Sequence, residues 1–167
     1  MATTLTVVLT LRPKLTFVKD IGLFSPQLVL DKDLSQQLAS GTDINESNQM
    51  YAGESTLAKN AAENIDLYGT LLNPAGDTVN LAKLKGITFH NLSVTPSDVL
   101  VIGGGGTNFK LFQNVTGRYE LGPNGLFTIH EPSLAGKPVT AGSADLIRVE
   151  NQGTQAITYE VIFYGTQ

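Results

Sequence analysis

The chain has 167 residues, no cysteine and a formal net charge of −4, and only 16% of its residues are charged. A domain of this length buries a core without disulfide bonds, and the absence of cysteine excludes thiolate metal ligands and thiol catalysis. No cluster of Lys or Arg and no apolar run of about 18 residues occurs, so we expect neither nucleic acid nor a membrane as a partner. The opening segment, MATTLTVVLTLRPK, lacks the basic start of a signal peptide.

The low charge content allows two interpretations. Ordinary soluble domains have about 25% charged residues, and here Thr, Asn, Ser, Gln and 17 Gly take their place. A surface of small polar side chains is desolvated at low cost, which suits extended contact with partner subunits. The alternative is an ordinary all-β domain that happens to be rich in Thr.

The first predicted element is a strand with one apolar face. Leu5, Val7, Leu9 and Leu11 alternate with polar or smaller residues, which is the period of a half-buried strand. Pro13 breaks this pattern, and two further short strands are predicted, LTFVKD (15–20) and QLVLD (27–31).

The next segment, DLSQQLASG (33–41), is the best helix candidate. Asp33 followed by Gln36 has the spacing of a capping box, and Leu34 and Leu38 would share one helix face. Gly41 would then supply the left-handed C-terminal cap. Residues 41–49 read as a linker, so the predicted organisation is an N-terminal strand or arm region over 1–45 and a β-sandwich domain over 46–167.

Short strands separated by turn sequences dominate the rest of the chain. Turns are predicted at 73–77, 95–98, 122–125 and 136–138, and residues 151–153 are expected to close a hairpin between the last two strands. Regular short strands of this kind predict an all-β fold, a jelly-roll-like antiparallel sandwich. The predicted strands cover residues 53–58, 64–69, 85–91, 98–103, 108–113, 118–122, 125–131, 146–150 and 157–163.

The run VIGGGG (101–106) places several glycines after an apolar stretch, as a phosphate-binding loop does, but the sequence motif and helix that complete such a loop do not follow. A Walker loop needs Gly-Lys-Ser/Thr at the start of a helix, whereas Lys110 falls in an alternating, strand-like stretch. We therefore interpret the run as a turn between strands, where glycine allows a positive φ and a close approach of two backbones. No cofactor is expected.

Catalytic motifs are sparse. The two histidines, His90 and His130, lie in separate predicted strands, and Ser143 has no Gly-x-Ser-x-Gly context. A metal site would require the histidines to meet across strands with Glu131 nearby. We expect no enzyme, no catalytic residue and no metal ligand, although a pocket holding both histidines and carboxylates would revive an enzymatic alternative.

Several strand and turn signatures resemble those of small structural proteins of tailed-bacteriophage virions, of the capsid decoration or cement type. They occur in the same order here, although GPNG (122–125) departs from the turn expected and the first 45 residues resemble nothing comparable. The signatures are Ile65-Asp66-Leu67, Lys83-Leu84-Lys85, Val101 to Gly104, Val139-Thr140-Ala141-Gly142 and Asp145-Leu146-Ile147-Arg148-Val149.

The resemblance implies a non-enzymatic protein on the capsid surface of a virion, made in the host cytoplasm. Its expected partners are the major capsid protein and itself, as a homodimer or homotrimer. The N-terminal segment would be an arm that adds a strand to a neighbour, or alternatively it pairs within its own sandwich. Deletion of residues 1–20 separates these possibilities, since an arm would leave a folded core that no longer binds capsids. The residues predicted to form the capsid or oligomer interface are Leu5, Val7, Leu9, Leu11, Phe17, Gly104 and Gly105.

A carbohydrate- or receptor-binding module of a phage tail or fibre is the alternative function. Such a module needs a concave face with two or more exposed aromatic side chains. The candidates are Tyr51, Tyr68, Tyr119 and Tyr164.

Overall fold

The computed structural model describes residues 5–10, 14–18, 27–31, 33–105, 109–133 and 135–167, and for 14–18 and 27–30 it describes the backbone alone. In these ranges the chain forms β-strands, turns and loops, and no helix occurs. The strands, in chain order, are β1 (Val7–Leu9), β2 (Lys14–Val18), β3 (Gln27–Asp31), β4 (Gln36–Ser40), β5 (Glu46–Ser47), β6 (Gln49–Leu57), β7 (Ala62–Asp66), β8 (Tyr68–Leu72), β9 (Thr78–Asn80), β10 (Lys83–Asn91), β11 (Leu100–Gly103), β12 (Arg118–Leu121), β13 (Leu126–His130), β14 (Lys137–Pro138), β15 (Leu146–Asn151) and β16 (Ile157–Thr166).

Two antiparallel sheets form the body of the protein. The front sheet has the order β13-β10-β16-β6, with β14 also paired to β10, and the back sheet has the order β12-β11-β15-β7. If the eight main strands are counted along the chain, the front sheet reads 6-3-8-1 and the back sheet 5-4-7-2. Strand 1 thus pairs with 8, 2 with 7, 3 with 6 and 4 with 5, as in a long hairpin rolled into two sheets. This is a jelly roll, and the prediction of an all-β sandwich of this type is confirmed.

The core lies between the two sheets and follows the alternation of the strands. On β16, Ile157, Tyr159, Val161 and Phe163 point inward, and the residues between them point outward. The back sheet contributes side chains such as Ile147 and Val149 to the same cluster. Each fully buried aliphatic or aromatic side chain contributes about 1.5–3 kcal/mol, so this cluster holds the sandwich together.

Smaller sheets extend the sandwich. Strands β1, β4 and β5 form a three-stranded sheet, which we call the cover sheet. Strands β2 and β3 form a separate two-stranded ribbon, inserted in the chain between β1 and β4. Strands β8 and β9 form a second hairpin, whose turn is held by the Asn73 side chain accepting from the amides of Ala75 and Asp77 at 2.9 Å each.

The predicted helix over 33–41 is wrong. Residues 36–40 form β4, and the Asp33 carboxylate accepts from Ser35 N at 2.9 Å in a local turn instead of capping a helix. Leu38 is 1% exposed and the neighbouring side chains are exposed, so one apolar position is buried by a strand. A helix this short has little intrinsic stability, and tertiary packing overrides its capping signal.

Two other local predictions are also wrong. Residues 109–113 of the predicted strand 108–113 form an irregular loop, with Phe109 and Leu111 buried at the end of the sandwich. Strands β15 and β16 do not form the predicted hairpin, because the turn after Asn151 passes from the back sheet to the front sheet. Alternation shows which residues are buried but not which strand is the neighbour.

Candidate interaction surface

The outward side of the front sheet, here called the front face, is the candidate site. Strand registers align its side chains in rows across the four main strands of the sheet. The first row consists of His130, Gly86, Tyr164 and Met50, the second of Thr128, Thr88, Ile162 and Ala52, and the third of Leu126, His90, Glu160 and Glu54.

The cover sheet lies across the first row. Ser47 Oγ, on β5, donates to the carbonyl of Gly165 at 2.8 Å. Strand β1 lies on the other side of β4, and its residues line a groove of about 250 Å³ together with Met50, Tyr164, Thr88 and Ile162. The edge of β1 that does not pair with β4 therefore faces the second and third rows, and these rows form the uncovered part of the front face.

A buried tyrosine and a half-buried histidine attach the cover sheet to the front face. Tyr164 is 6% exposed, and its ring lies over Gly86, where a Cβ atom would come within 2.1 Å of it. Burial raises the pKa of Tyr164 to about 12 and lowers the pKa of His130. In the neutral ring His130 Nε2 donates to Gln36 Oε1 on β4, and Nδ1 accepts from the Tyr164 hydroxyl.

A buried lysine makes the second attachment. The register of β10 against β16 shifts between Leu84 and Gly86, which makes Lys85 the extra residue of a β-bulge. Its side chain is 1% exposed and Nζ donates to the backbone carbonyl of Asp43, in the turn before β5. Burial lowers the pKa of the Lys85 ammonium group, and the hydrogen bond to Asp43 compensates part of that desolvation.

The uncovered rows combine cross-strand polar pairs with exposed apolar side chains. The hydroxyls of Thr88 and Thr128 are 3.1 Å apart, and His90 Nδ1 lies 3.2 Å from Glu160 Oε2. Leu126 is 63% and Ile162 45% exposed. These exposed apolar side chains make this part of the front face the candidate surface for contact with another protein.

The predicted interface residues lie at three separate elements, and one of them lies outside the described residues. Leu5, Val7 and Leu9 are half-buried in the cover layer, at or next to β1. Gly104 and Gly105 follow β11 of the back sheet, with φ values of 72° and 119°. Phe17 lies in β2, opposite Leu28, and Leu11 lies outside the described residues.

The exposed row residues Leu126 and Ile162 were not predicted as part of a surface. The sequence carried a signal for both, since Ile162 alternates with buried neighbours and Leu126 with half-buried ones in predicted strands. What the sequence lacks is the strand order that places β13 beside β10 and β10 beside β16.

The histidines do not form a cluster. They lie on adjacent strands of the front face, but His90 opposes Leu126 and His130 opposes Gly86, four positions further along. Over the residues the structure describes, no three His, Asp or Glu side chains converge as a metal site would require. Ser143 lies in a turn, where its Oγ donates to the Thr140 carbonyl at 3.5 Å.

The tyrosines do not share a surface. Tyr51 stacks on Phe163 inside the sandwich with ring centroids 5.1 Å apart, and Tyr164 is buried. Tyr68 and Tyr119 are 42% and 44% exposed and belong to β8 and β12, which are in different sheets.

Comparison of the chain with known protein families, with curated proteins and with solved structures finds no match in any of the three. The described ranges contain no helix of the length and apolar character that a membrane span needs. By its fold, the protein is a jelly-roll sandwich with an N-terminal cover sheet on one face.

Proposed function

We propose that this protein is a non-enzymatic structural component of a tailed-phage head, of the decoration or cement type. It binds the outside of the shell and stabilises it through subunit contacts, with the major capsid protein and further copies of itself as partners. The observation that carries the proposal is the front face, which is half covered by the chain's own N-terminal strands and presents an exposed Leu and Ile beside them.

The sequence signatures that motivate the proposal lie in the sandwich. Ile65-Asp66-Leu67 spans the end of β7, Lys83-Leu84-Lys85 begins β10, and Val101 to Gly104 spans the end of β11. Each occupies a position where a strand starts or ends, and Lys85 also attaches the cover sheet. These residues thus support the arrangement of sandwich and cover sheet on which a head-binding role would depend.

The charge and hydrogen-bond pattern of the surface is consistent with extended protein contact. Thr pairs link neighbouring strands on the front face, as between Thr56 and Thr158 with hydroxyls 2.8 Å apart. Such side chains exchange water for a partner at low desolvation cost, whereas a surface dense in Lys and Glu does not.

Binding to expanded shells that lack the protein tests the proposal. We expect saturable binding at a fixed ratio to the shell protein, and at least a tenfold loss of affinity for Leu126→Glu, because a buried unpaired charge costs several kcal/mol. Leu72→Glu is the matched control: Leu72 is also a strand leucine, 57% exposed, but it lies on β8 outside the front sheet.

Two results would contradict the proposal. The first is the absence of saturable binding to shells by folded protein. The second is retention on host-surface polysaccharide without binding to shells, which would favour the tail or fibre module and direct attention to Tyr68 and Tyr119.

A further inference from the structure

A cavity lies on one side of the sandwich, between the edge strands of the two sheets. The order of the front sheet ends at β6 and that of the back sheet at β7. Residues of both strands line a cavity of about 180 Å³, and β16 and Leu71 of β8 supply the rest of its wall. The side chains that alternation turns inward on β6 and β7 therefore determine what this cavity can bind.

A carboxylate on β7 faces this cavity. Ile65 is buried in the core, and Glu63, two residues earlier, faces the same way because alternate residues of a strand share a side. Glu63 is half-buried and lines the cavity. Within the described part of the chain no Lys, Arg or His side chain forms an ion pair with it. A carboxylate partly withdrawn from water without a counter-charge is unfavourable, and a bound cation would compensate it.

Three hydroxyl groups lie beside this carboxylate. Tyr159 is 1% exposed, and its hydroxyl donates to Glu63 Oε1 at 2.7 Å. Burial, and after it the neighbouring Glu63, raise the pKa of Tyr159, so this hydroxyl keeps its proton. Ser55 hydrogen-bonds to the Tyr159 side chain, and the Tyr51 hydroxyl lies over Gly53, where a Cβ atom would collide with it. Glu63 Oε2 has no donor among the described residues and remains available as an acceptor.

The remaining walls of the cavity are apolar. Ile65, Leu71 and Val161 line it together with Tyr51, and no basic residue of the described ranges does. A primary alkylammonium group matches this lining: its nitrogen has three donors and no acceptor, its carbon chain contacts aliphatic walls, and the face of an aromatic ring attracts its charge. An anion would be repelled by Glu63.

The size and the ligand set restrict the bound group further. A cavity of about 180 Å³ is smaller than a site for a drug-sized ligand, so it fits a small amine or a single side chain. A divalent metal ion takes several carboxylate or imidazole ligands. No group of three such side chains occurs in the part of the chain that the structure describes.

We propose that this cavity binds a primary alkylammonium group, with Glu63 as its counter-charge and the hydroxyls of Tyr51 and Ser55 as further acceptors. Such a group is carried by small free amines and by the lysine side chain of another protein. The inference goes beyond the proposed function and does not depend on it, since binding can be measured on the purified protein alone.

Titration with n-butylammonium chloride tests the proposal, because its carbon chain is that of a lysine side chain. We expect saturable ¹H–¹⁵N NMR shifts for the amides of Gly53, Ser55 and Asn64 at constant ionic strength. The dissociation constant should be about 1 mM, since so small a ligand makes few contacts. n-Butanol has the same chain without the charge and should bind more weakly by about tenfold or more.

Substitution of Glu63 tests the role of its charge. Glu63→Gln keeps the size of the side chain and should abolish the preference for n-butylammonium over n-butanol, a ratio that a change in cavity shape alone would not remove. Glu63→Asp keeps the charge and should keep the preference at reduced affinity. Glu120→Gln, which removes an exposed carboxylate from β12 of the back sheet, is the matched control and should bind both probes as the natural chain does.

A lysine derivative with both backbone ends blocked identifies the source of the group. Binding as tight as that of n-butylammonium would show that the cavity accepts a lysine side chain, whereas binding of n-butylammonium alone would restrict it to free amines. The proposal would be overturned by the absence of saturable shifts with n-butylammonium, by equal affinity of the natural chain for n-butanol, or by an unchanged preference in a folded Glu63→Gln protein. Saturable shifts of the same amides with CaCl₂ but not with n-butylammonium would also overturn it.

Discussion

Buried amides and one carboxylate hold together the end of the sandwich opposite the cover sheet. Asn151 is fully buried, and its Nδ2 donates to the carbonyls of Leu57, Ala58 and Gln155 at 2.8–3.1 Å. Its Oδ1 accepts from Gly153 N at 2.7 Å. This one side chain thus connects the β6–β7 turn to the turn where the chain passes between the sheets.

Asn151→Ala should destabilise the fold by about 2–4 kcal/mol, because it leaves buried carbonyl and amide groups without partners. Urea unfolding followed by tyrosine fluorescence or circular dichroism measures the change. Gln152→Ala, an exposed neighbour in the same turn, should change the free energy of unfolding by less than about 0.5 kcal/mol. Equal effects of the two substitutions would mean that the Asn151 hydrogen bonds do not stabilise the end of the sandwich.

Asp98 occupies the centre of the same end. Its carboxylate accepts from Ser93 Oγ at 2.7 Å and from Thr154 N at 3.1 Å. The Ser93 hydrogen bond contributes most to lowering the pKa of Asp98, and hydrogen bonds from Thr154 and Gln155 add to it against the opposing effect of burial. These contacts favour the ionised carboxylate in the folded state.

Because the pKa of Asp98 is lowered in the folded state, its contribution to the stability of the fold depends on pH. The stabilisation is complete above the unfolded-state pKa of about 3.9 and is lost as the pH falls through the lower folded-state pKa. Asp98→Asn should therefore lower the melting temperature at pH 7, and its difference from the natural chain should shrink below about pH 4. Thermal unfolding from pH 7 to pH 2.5 measures this, and a difference that stays constant with pH would show that ionisation of Asp98 is not the cause.

At the scale of elements, the three described glycines at the end of β11, Gly103 to Gly105, have a backbone geometry that favours glycine. Gly103, Gly104 and Gly105 all have positive φ. A Cβ atom on Gly103 would lie 2.5 Å from the carbonyl oxygen of Gly117 and 2.8 Å from the Phe112 ring. Gly104 N donates to the same Gly117 carbonyl at 2.9 Å, so the glycines allow the chain to leave β11 next to the segment that enters β12.

Gly103→Ala should destabilise the protein by about 2 kcal/mol or more, since strain at positive φ and a backbone clash add together. Gly122→Ala is the matched control, because nothing lies within 4 Å of its Cβ position and its φ is not positive. It should be neutral within about 0.5 kcal/mol. Chemical denaturation of both variants gives the comparison, and a Gly103→Ala protein as stable as Gly122→Ala would refute the structural role of the turn.

Elements whose sequence period agrees with their packing were predicted well. Strands β2, β3, β10 and β16 fall close to their predicted positions. In β16 the alternation of apolar and polar residues matches one buried and one outward-facing side of the sheet. The helix predicted over 33–41 failed because two leucines four residues apart are compatible with either structure. Only the contact of β4 with β1 and with His130 selects the strand.

At the scale of the whole molecule, the folded chain is asymmetric in charge. The N-terminal 32 residues have a net charge of +2 and the remainder −6, and one face of the sandwich is partly covered by strands from the N-terminal region. The difference in net charge between the two parts of the chain follows from the sequence alone. The sequence does not show that the cover sheet ends at the second row of the front face.

The sequence by itself determined the fold class, because period-two alternation and turn residues recur from Leu5 to Phe163 and admit only sheets with one buried face. Tertiary structure decided which strands are neighbours, since pairs such as β6 and β16 are about a hundred residues apart and form only when the chain closes on itself. The interaction surface exists only after that closure, because each of its rows draws one residue from each of four strands.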